Sequence, residues 1–336
     1  MDKFRYLFAN KPLTLYYCIT ERCNSRCLQC SYWRKDHNVA KELTLEEIEN
    51  IFTDLYDFGI RYVFIAGGEP LLRKDIWRVI GILSAIGFNV TLSTNGILLN
   101  GVSIKNLRKF KRLHIVISLD SIDRKTYRFL RGADELPVVL GNLALVKKHF
   151  GMAKVSVVIS SLNYQHVDEI IQFCREKGYY ASFYPYNAKH IMFASNTDLL
   201  AFDDKKEEMA NVFKKLARLC LKERNIFGTS LIYSKAADWI LDKEIGRCSA
   251  GYDFLYLGYD GTLYPCFGFL KPLGNLRQKK VKDIFVIDKV GITKCNKFYP
   301  CFLGCTRAIA IVREHKWDVI KEAVFDRKIW TLVKAF

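Results

Sequence analysis

The sequence contains no apolar run long enough to cross a membrane, and this excludes an integral membrane protein. Half of the 336 residues are hydrophobic, yet polar residues interrupt every stretch before it reaches the ~18 apolar residues that a spanning helix needs. The first six residues, Met-Asp-Lys-Phe-Arg-Tyr, lack the apolar core and the small-residue cleavage site of a secretory signal. We therefore expect a cytoplasmic protein.

Acidic residues are scarce relative to basic ones. The chain has 35 Asp and Glu against 52 Lys and Arg, a formal net charge of +17. Such a surface attracts nucleic acid, anionic lipid headgroups or anionic small molecules. The basic residues form no long tail, and the chain has neither a low-complexity segment nor an internal repeat beyond the strand–helix alternation described below. The charge alone therefore indicates only a basic, solvated surface.

Cysteine is abundant, with eleven residues. Because a reducing cytoplasm disfavours structural disulfides, ligation of a metal or cluster is the better explanation. Eight of the cysteines form two groups, within 23–30 and within 248–305. The remaining three, Cys18, Cys174 and Cys220, lie in apolar strand or helix patterns, which predicts small buried side chains.

The first group is a C-x3-C-x2-C loop formed by Cys23, Cys27 and Cys30, directly after the β-prone run 13–19. Three soft ligands on one short loop suit an iron–sulfur cubane, and three ligands leave one iron free to bind a small molecule. Structural zinc normally takes four ligands, usually as two spaced pairs. A zinc loop completed by His37 or by a distant cysteine is the alternative.

Strands and helices alternate regularly through the first half of the chain. Strands are predicted at 13–19, 61–66, 89–93, 114–118, 154–160 and 179–184. Helices are predicted at 44–59, where Thr44 and Glu47 form a capping box, and at 76–86, 104–110, 137–150 and 166–177. This alternation favours an α/β fold in which parallel strands form an open partial (β/α)6 barrel. Ligands bind such folds at the C-terminal strand ends, where the cysteine loop lies.

Composition divides the chain into four parts. Residues 1–195 are predicted to form the partial barrel, 196–245 a helical bridge, 246–311 a small cysteine-rich module, and 312–336 an amphipathic basic helix. The apolar positions of this last helix are Trp317, Ile320, Val324, Phe325, Ile329, Leu332 and Phe336, and its basic ones are Lys316, Lys321, Arg327, Lys328 and Lys334. A helix of this kind suits a membrane surface as well as docking onto the barrel.

Polar motifs follow three of the predicted strands. Gly67-Gly68-Glu69-Pro70 follows the second, Ser93-Thr94-Asn95-Gly96 ends the third, and Ser118-Leu119-Asp120 ends the fourth. Glycines allow close approach of backbone to a ligand, a carboxylate can take an ammonium group, and hydroxyls suit ribose. A plain turn at 67–70 and an ion pair between Asp120 and Arg131 are the structural alternatives.

The cysteine spacing together with Gly-Gly-Glu-Pro resembles the radical S-adenosylmethionine (SAM) enzymes. The resemblance implies a 4Fe–4S cluster on the three cysteines, the SAM amino group at 67–70 and contact of Ser118 with the SAM ribose. The polar groups of Ser93, Asn95 and Asp120, also at strand ends, suit SAM binding as well. It also implies that Arg131 meets the SAM carboxylate. Where the family has an aromatic residue before the third cysteine, this chain has Gln29, so the adenine side is assigned to Tyr32.

The second cysteine group resembles the SPASM and Twitch auxiliary-cluster modules. Cys248-x12-Gly261-x4-Cys266 matches their first element, with an Asp-Gly hairpin turn that should bring the two cysteines together. Cys295-x5-Cys301-x3-Cys305 matches the later element, with Ile292 in place of its first cysteine. Five ligands cannot hold two cubanes. The resemblance therefore implies one auxiliary 4Fe–4S cluster on Cys248, Cys266 and Cys305, with Cys295 or Cys301 as the fourth ligand; a zinc site is the alternative.

The resemblance to the radical SAM enzymes implies an enzyme that cleaves SAM and takes hydrogen from an unactivated C–H bond, with ferredoxin or flavodoxin as electron donor. The basic surface, the aromatic richness and the terminal helix favour a lipid or prenyl substrate at an anionic membrane surface. A ribosomal peptide or a small molecule is the alternative, and few residues precede the first strand to bind a peptide. A zinc- or cluster-bearing nucleic-acid-binding protein would explain the charge but not the β/α units, so no nucleic-acid partner is expected.

Overall fold

One nine-stranded sheet organises the molecule. The computed structural model describes residues 11–187, 197–267, 271–298, 301–302 and 304–325, without the side chains of 197, 198, 290, 296–298, 304–306 and 322–325. The strands are β1 (Thr14–Thr20), β2 (Tyr62–Gly67), β3 (Asn89–Thr94), β4 (Leu113–Ser118), β5 (Lys154–Ile159), β6 (Tyr180–Pro185), β7 (Phe254–Leu257), β8 (Thr262–Tyr264) and β9 (Gly274–Asn275).

Helices connect the strands and form the C-terminal part of the described chain. They are α1 (Leu45–Phe58), α2 (Ile76–Ile86), α3 (Gly101–Leu107), α4 (Arg124–Arg131), α5 (Leu136–Phe150), α6 (Val167–Lys177), α7 (Thr197–Leu200), α8 (Lys206–Leu219), α9 (Ser230–Ile240), α10 (Val281–Ile284), α11 (Lys289–Phe298), α12 (Gly304–Glu314) and α13 (Lys316–Phe325). No helix in this part of the chain is both long and apolar enough to span a membrane.

The strand order is β6-β5-β4-β3-β2-β1-β7-β8-β9. Strands β1 to β6 are parallel and lie in chain order, which confirms the predicted α/β class and the open partial barrel of six β/α units. Strand β7 pairs in parallel with β1, and β8 and β9 continue the sheet in antiparallel pairing. The second cysteine region therefore extends the barrel sheet beyond β1, which brings it beside the first cysteine loop.

Side chains of β1 alternate between two faces of the sheet because successive residues of a strand point in opposite directions. Leu15 and Tyr17 belong to the main hydrophobic core, together with residues of the surrounding helices. The opposite face, here called the inner face, carries Tyr16 and Cys18. The strand register places these further residues on the same face: Phe64, Ser93, Ser118, Ser156, Ser182 and Tyr256.

Local signals set most helix boundaries. The capping box predicted at α1 is present: the Thr44 hydroxyl accepts from the Glu47 amide at 3.2 Å, and the Glu47 carboxylate accepts from the Thr44 amide at 2.8 Å. Helix α3 begins three residues earlier than predicted because the Asn100 side chain caps its first turn. Helix α4 was not predicted from the sequence. It begins after Asp123, whose side chain accepts a hydrogen bond from the Thr126 amide.

Helix α12 packs against α9 and β6, and α13 packs against α12. Helix α12 contributes the buried residues Ile309 and Ile311, and in α13 Val319 is buried whereas Trp317 is 63% exposed. The predicted amphipathic helix is thus described only as far as Phe325. The remaining positions on which that prediction depended lie outside the described residues: Arg327, Lys328, Ile329, Leu332, Lys334 and Phe336.

Candidate functional site

The three-cysteine loop leaves the C-terminal end of β1 and is held by the end of α4. The Arg26 amide donates to the Arg131 carbonyl at 3.2 Å, and the Leu28 amide to the Leu130 carbonyl at 2.9 Å. Burial raises the pKa of Cys23 to about 11 and that of Cys30 to about 12, with a smaller contribution from Cys27 in both cases. The three cysteines are therefore carried on one loop that the end of α4 holds in place, as a shared cofactor requires.

The glycines of the Gly-Gly-Glu-Pro motif contact the cysteine loop. A Cβ atom at Gly67 would lie 2.2 Å from the Thr20 carbonyl oxygen, and one at Gly68 would lie 2.0 Å from the Arg22 carbonyl oxygen. The amides of Gly68 and Glu69 donate to the same two carbonyls, each at 2.7 Å. Gly67 and Gly68 were expected to allow a ligand to approach closely. In this structure they contact the backbone that leads to Cys23.

Glu69 is buried and ties the end of β2 to the end of β3. Its carboxylate accepts from the Thr94 hydroxyl and the Asn95 amide, both at 2.7 Å, and from the Leu71 amide at 3.0 Å, where Pro70 opens a short 3-10 turn. Burial raises the pKa of Glu69. Because a carboxylate has about four acceptor positions, these three protein donors leave about one for an ammonium group.

Strand β3 is joined to the cysteine loop through Asn95. The Asn95 side-chain amide donates to Asn24 Oδ1 at 2.7 Å and to the Ser25 hydroxyl at 3.1 Å. Ser93 and Ser118 lie on the inner face at the ends of β3 and β4, and both are partly exposed. Their hydroxyls are therefore accessible to a ligand, as the resemblance implies.

Asp120 and Arg131 form a buried ion pair, with 2.9 Å between Arg131 Nε and Asp120 Oδ2. The other carboxylate oxygen accepts from the Val158 amide at 2.8 Å. Arg131 Nη1 donates to Cys27 Sγ at 3.6 Å. Burial alone would lower the pKa of Arg131, but the adjacent Asp120 and Cys27 outweigh it and raise that pKa. Of the two readings left open by the sequence, the structure contains the ion pair.

Gln29 and Tyr32 occupy different surroundings from those expected for an adenine pocket. The Gln29 amide donates to Asp120 Oδ2 at 2.6 Å, and within the described part of the chain its buried Oε1 has no hydrogen-bond partner. The buried Tyr32 hydroxyl lies 3.1 Å from that of Tyr256 in β7, so Tyr32 faces the auxiliary side of the sheet. Gln29 is therefore closer than Tyr32 to the residues assigned to SAM.

Two cysteines of the second group pack against one apolar cluster. Cys248 and Cys266 both pack against the cluster that contains Tyr16 and the buried Ile292. Burial and the proximity of Cys248 raise the pKa of Cys295. The predicted Asp-Gly hairpin is present, since β7 and β8 pair and Gly261 adopts a φ of +85°. Cys301 is described and partly exposed, and the side chain of Cys305 lies outside the described residues.

His37, considered above as a fourth zinc ligand, has other partners in this structure. Its Nε2 lies 2.8 Å from Glu42 Oε1, and its ring packs on Tyr259 at a centroid distance of 4.6 Å. Among the side chains that the structure describes, those of the cysteine loop included, no group of three or more His, Cys, Asp or Glu is close enough to hold a single metal ion, so this geometry does not separate zinc from a cluster.

The sequence reading missed Asn187, which follows the end of β6. Its side chain is only 1% exposed, and neither its amide nitrogen nor its amide oxygen has a hydrogen-bond partner among the residues that the structure describes. Such groups are costly to bury unpaired. Tyr186 and Leu28, the residues that precede Asn187 and Gln29, belong to one apolar cluster, so the Asn187 amide and the Gln29 side chain lie at the same edge of the barrel. Only the three-dimensional structure could reveal this signal.

Residues 17–174 match the family model for the radical SAM superfamily. The chain is 32% identical over 175 residues to a probable GTP 3',8-cyclase of Methanothermobacter marburgensis, covering 50% of this chain and 56% of the relative. It is 27% identical over 258 residues to one of Methanococcus vannielii, covering 74% and 82% respectively. The chain spans about half the length of the first of these relatives.

Solved structures show the same fold. Streptococcus suis SuiB bound to S-adenosylmethionine superposes with a TM-score of 0.70 at 19% identity, covering 84% of this chain and 67% of SuiB. The protein anSMEcpe, solved with AdoMet and the Cp18Cys peptide, gives a TM-score of 0.63 at 19% identity, covering 88% of each chain.

A 4Fe–4S cluster and SAM are the cofactors of a radical SAM domain, and the donor set here fits them. Three thiols on one loop supply three ligands, and the loop is fixed from both sides, by the glycines after β2 and by the end of α4. The matched domain, the partial barrel and this loop agree with one another. Residues 17–174 of the chain therefore form a radical SAM domain.

Proposed function

We propose that this protein is an enzyme that cleaves SAM reductively and removes hydrogen from an unactivated C–H bond of a bound substrate. The observation that carries the proposal is the three-thiol loop at the C-terminal end of β1, packed on Gly67 and Gly68. The chemistry supplied there by the bound cluster and SAM is cleavage to methionine and a 5′-deoxyadenosyl radical. A low-potential protein such as ferredoxin or flavodoxin would deliver the electron.

The inner face of the sheet divides into two walls that would enclose the substrate. Serine hydroxyls line β3 to β6 at Ser93, Ser118, Ser156 and Ser182. Aromatic rings line the other side: Tyr16 stacks on Phe64 at 4.9 Å between centroids, and Phe267 lies 4.9 Å from Tyr16 and 4.8 Å from Tyr256. A ligand with one polar side and one flat apolar side matches these walls, and the rings exclude water from the reacting atoms.

We infer that the substrate is a nucleotide. The basic surface suits anionic phosphates, and the aromatic wall suits a base. The unpaired Asn187 amide presents a donor beside an acceptor, the complement of a purine edge. The printed function of the relatives, GTP 3',8-cyclase, supports the same class. Nothing in the described residues or in the relatives supports the lipid or prenyl substrate, and a peptide remains the alternative that SuiB suggests by fold alone.

The module after residue 246 is proposed to hold one auxiliary 4Fe–4S cluster. Cys248 and Cys266 share one apolar surrounding, and Cys295 is close enough to Cys248 to feel its charge. Ile292, where the resemblance has a further cysteine, is instead buried in the same cluster. This packing supports a single cluster, with Cys305 and either Cys295 or Cys301 completing the set.

A substrate panel tests the proposed function. The reconstituted full-length protein is incubated anaerobically with SAM and dithionite, and 5′-deoxyadenosine is quantified with purine nucleoside triphosphates, with peptides or with phospholipid vesicles. We expect stimulation by a nucleoside triphosphate, and deuterium in 5′-deoxyadenosine when that nucleotide carries deuterium on its ribose. Stimulation by peptides or by vesicles, without any by nucleotides, would contradict the nucleotide assignment.

A further inference from the structure

Two buried hydrogen bonds and the ion pair between them connect Gln29 to a sulfur of the cysteine loop. The Gln29 amide holds Asp120 Oδ2 at 2.6 Å, Asp120 pairs with Arg131 Nε at 2.9 Å, and Arg131 Nη1 donates to Cys27 Sγ at 3.6 Å. Gln29, Asp120 and Arg131 are 7%, 1% and 8% exposed. We call these three residues and Cys27 the Gln29–Cys27 relay.

The relay accounts for the departure from the family pattern at Gln29. An aromatic side chain at this position would carry no amide to donate to Asp120. With the amide present, one oxygen of Asp120 is held by Gln29 and Arg131, and the other by the Val158 amide. The Asp120 carboxylate is thus held by three protein groups, and it holds the Arg131 guanidinium in place.

Arg131, at the end of α4, is more buried than Arg22 and Arg26, the arginines next to Cys23 and Cys27. Arg26 is exposed; its guanidinium donates to the Cys23 carbonyl and lies over the ring of Trp33. Arg22 lies 3.5 Å from Glu42. Arg131 is buried and contacts a ligand sulfur directly, in surroundings where charge interactions are weakly screened.

We propose that Arg131 is a positioning residue that raises the reduction potential of the cluster through its hydrogen bond to Cys27, and that Asp120 and Gln29 hold it there. This rests on the proposed function only in requiring a cluster on the three cysteines. A hydrogen bond to a ligating sulfur, together with a fixed positive charge, stabilises the more negative, reduced state of the cluster. The resemblance assigns the same arginine to the SAM carboxylate. The two roles predict different results when Arg131 is replaced: a lowered reduction potential in the first case and a lowered SAM affinity in the second.

The test compares Arg131→Gln, Arg131→Lys and Gln29→Leu with a matched control, Arg124→Gln. Arg124 lies on the same helix and pairs with Asp134 at 2.8 Å, but on the exposed surface. Each full-length protein is reconstituted anaerobically, and iron per chain is measured. The midpoint potential of the SAM-site cluster is then determined by redox titration monitored by electron paramagnetic resonance in a Cys248→Ala background, and SAM affinity by equilibrium binding.

We expect Arg131→Gln to lower the ratio of reduced to oxidised cluster at a fixed donor potential by about tenfold, which is about 59 mV for a one-electron couple. Arg131→Lys keeps the charge but loses the planar guanidinium, so its reduced-to-oxidised ratio should lie between those of the parent protein and Arg131→Gln. The ratio of Gln29→Leu should lie in the same range. The control should match the parent protein, and SAM affinity should change less than the reduced-to-oxidised ratio.

An unchanged potential in Arg131→Gln, together with SAM affinity reduced by tenfold or more, would overturn the proposal and return Arg131 to the SAM carboxylate. Removing one member of a buried ion pair destabilises a protein, so the double variant Asp120→Asn/Arg131→Gln provides the second measurement if the single variant loses iron. It should still show a lowered potential, by less than the single variant, because the hydrogen bond to Cys27 is lost while Asp120→Asn also removes a negative charge. Failure of the parent protein to bind a cluster at all would instead contradict the proposed function.

Discussion

Buried carboxylates position the candidate site at the scale of single residues. Glu69 and Asp120 each receive two or more protein donors, and each connects elements that are distant in sequence. Glu69 joins β2 to β3, and Asp120 joins the cysteine loop and α4 to β5. Because each carboxylate is buried, replacing it leaves its donors without an acceptor rather than returning them to water.

Replacing Glu69 with Gln should lower the free energy of unfolding by about 1–3 kcal/mol, because the new amide places hydrogen atoms against the donors from Thr94 or Asn95. Denaturant titration of the variant measures this, with the exposed Glu46→Gln as control. Iron retention should fall together with stability, since Asn95 also holds the cysteine loop. A Glu69→Gln protein as stable as the Glu46→Gln control would contradict the assigned role.

Replacing Asn187 should have the opposite effect on stability from replacing Glu69. Replacing it with Leu removes an unpaired buried amide, so stability should stay equal or rise, whereas stimulation of SAM cleavage by a nucleotide should fall by about tenfold, the equivalent of one hydrogen bond of ~1.4 kcal/mol. The exposed Asn211→Leu is the matched control. A loss of stability with unchanged nucleotide response would show that Asn187 has a structural partner and no substrate role.

At the scale of elements, the cysteine loop depends on the turn that follows β2. Gly68→Ala would place a methyl group 2.0 Å from the Arg22 carbonyl oxygen, and backbone cannot move aside cheaply there. We expect this variant to lose most of the iron bound at the SAM-site loop. The control is Gly141→Ala in α5, where a Cβ meets nothing within 4 Å and where a helical alanine should stabilise by about 0.5–1 kcal/mol. Full iron content in Gly68→Ala would refute the close packing.

The elements also show which features a sequence can predict. Capping at Thr44 and alternating apolar strands are local signals, so α1 and the six parallel strands were predictable. The pairing of β7 with β1 joins residues more than 230 positions apart and has no local signal. The same limit applies to the contacts of Gly68 and Arg131 with the cysteine loop and to the unpaired amide of Asn187. The loop could be identified from its spacing, but these contacts depend on distances that exist only in the folded chain.

At the scale of the whole molecule, the second cysteine region continues the barrel sheet but carries its own thiols. Cys248→Ala or Cys266→Ala should therefore remove about four iron atoms per chain while SAM binding persists, because a cubane holds four irons and these cysteines are not on the SAM-site loop. Iron, sulfide and zinc analysis of the anaerobic protein measures this. A loss of zinc at unchanged iron would show that the module binds zinc.

The most direct measurement of the central claim is SAM cleavage by the three-cysteine loop. The anaerobically reconstituted protein, with dithionite as reductant, should convert SAM into equal amounts of methionine and 5′-deoxyadenosine. Changing Cys23, Cys27 or Cys30 to Ala should abolish both products, whereas changing the buried Cys174 to Ala, remote from both cysteine groups, should retain them. Formation of 5′-deoxyadenosine by any of the first three variants would contradict the account.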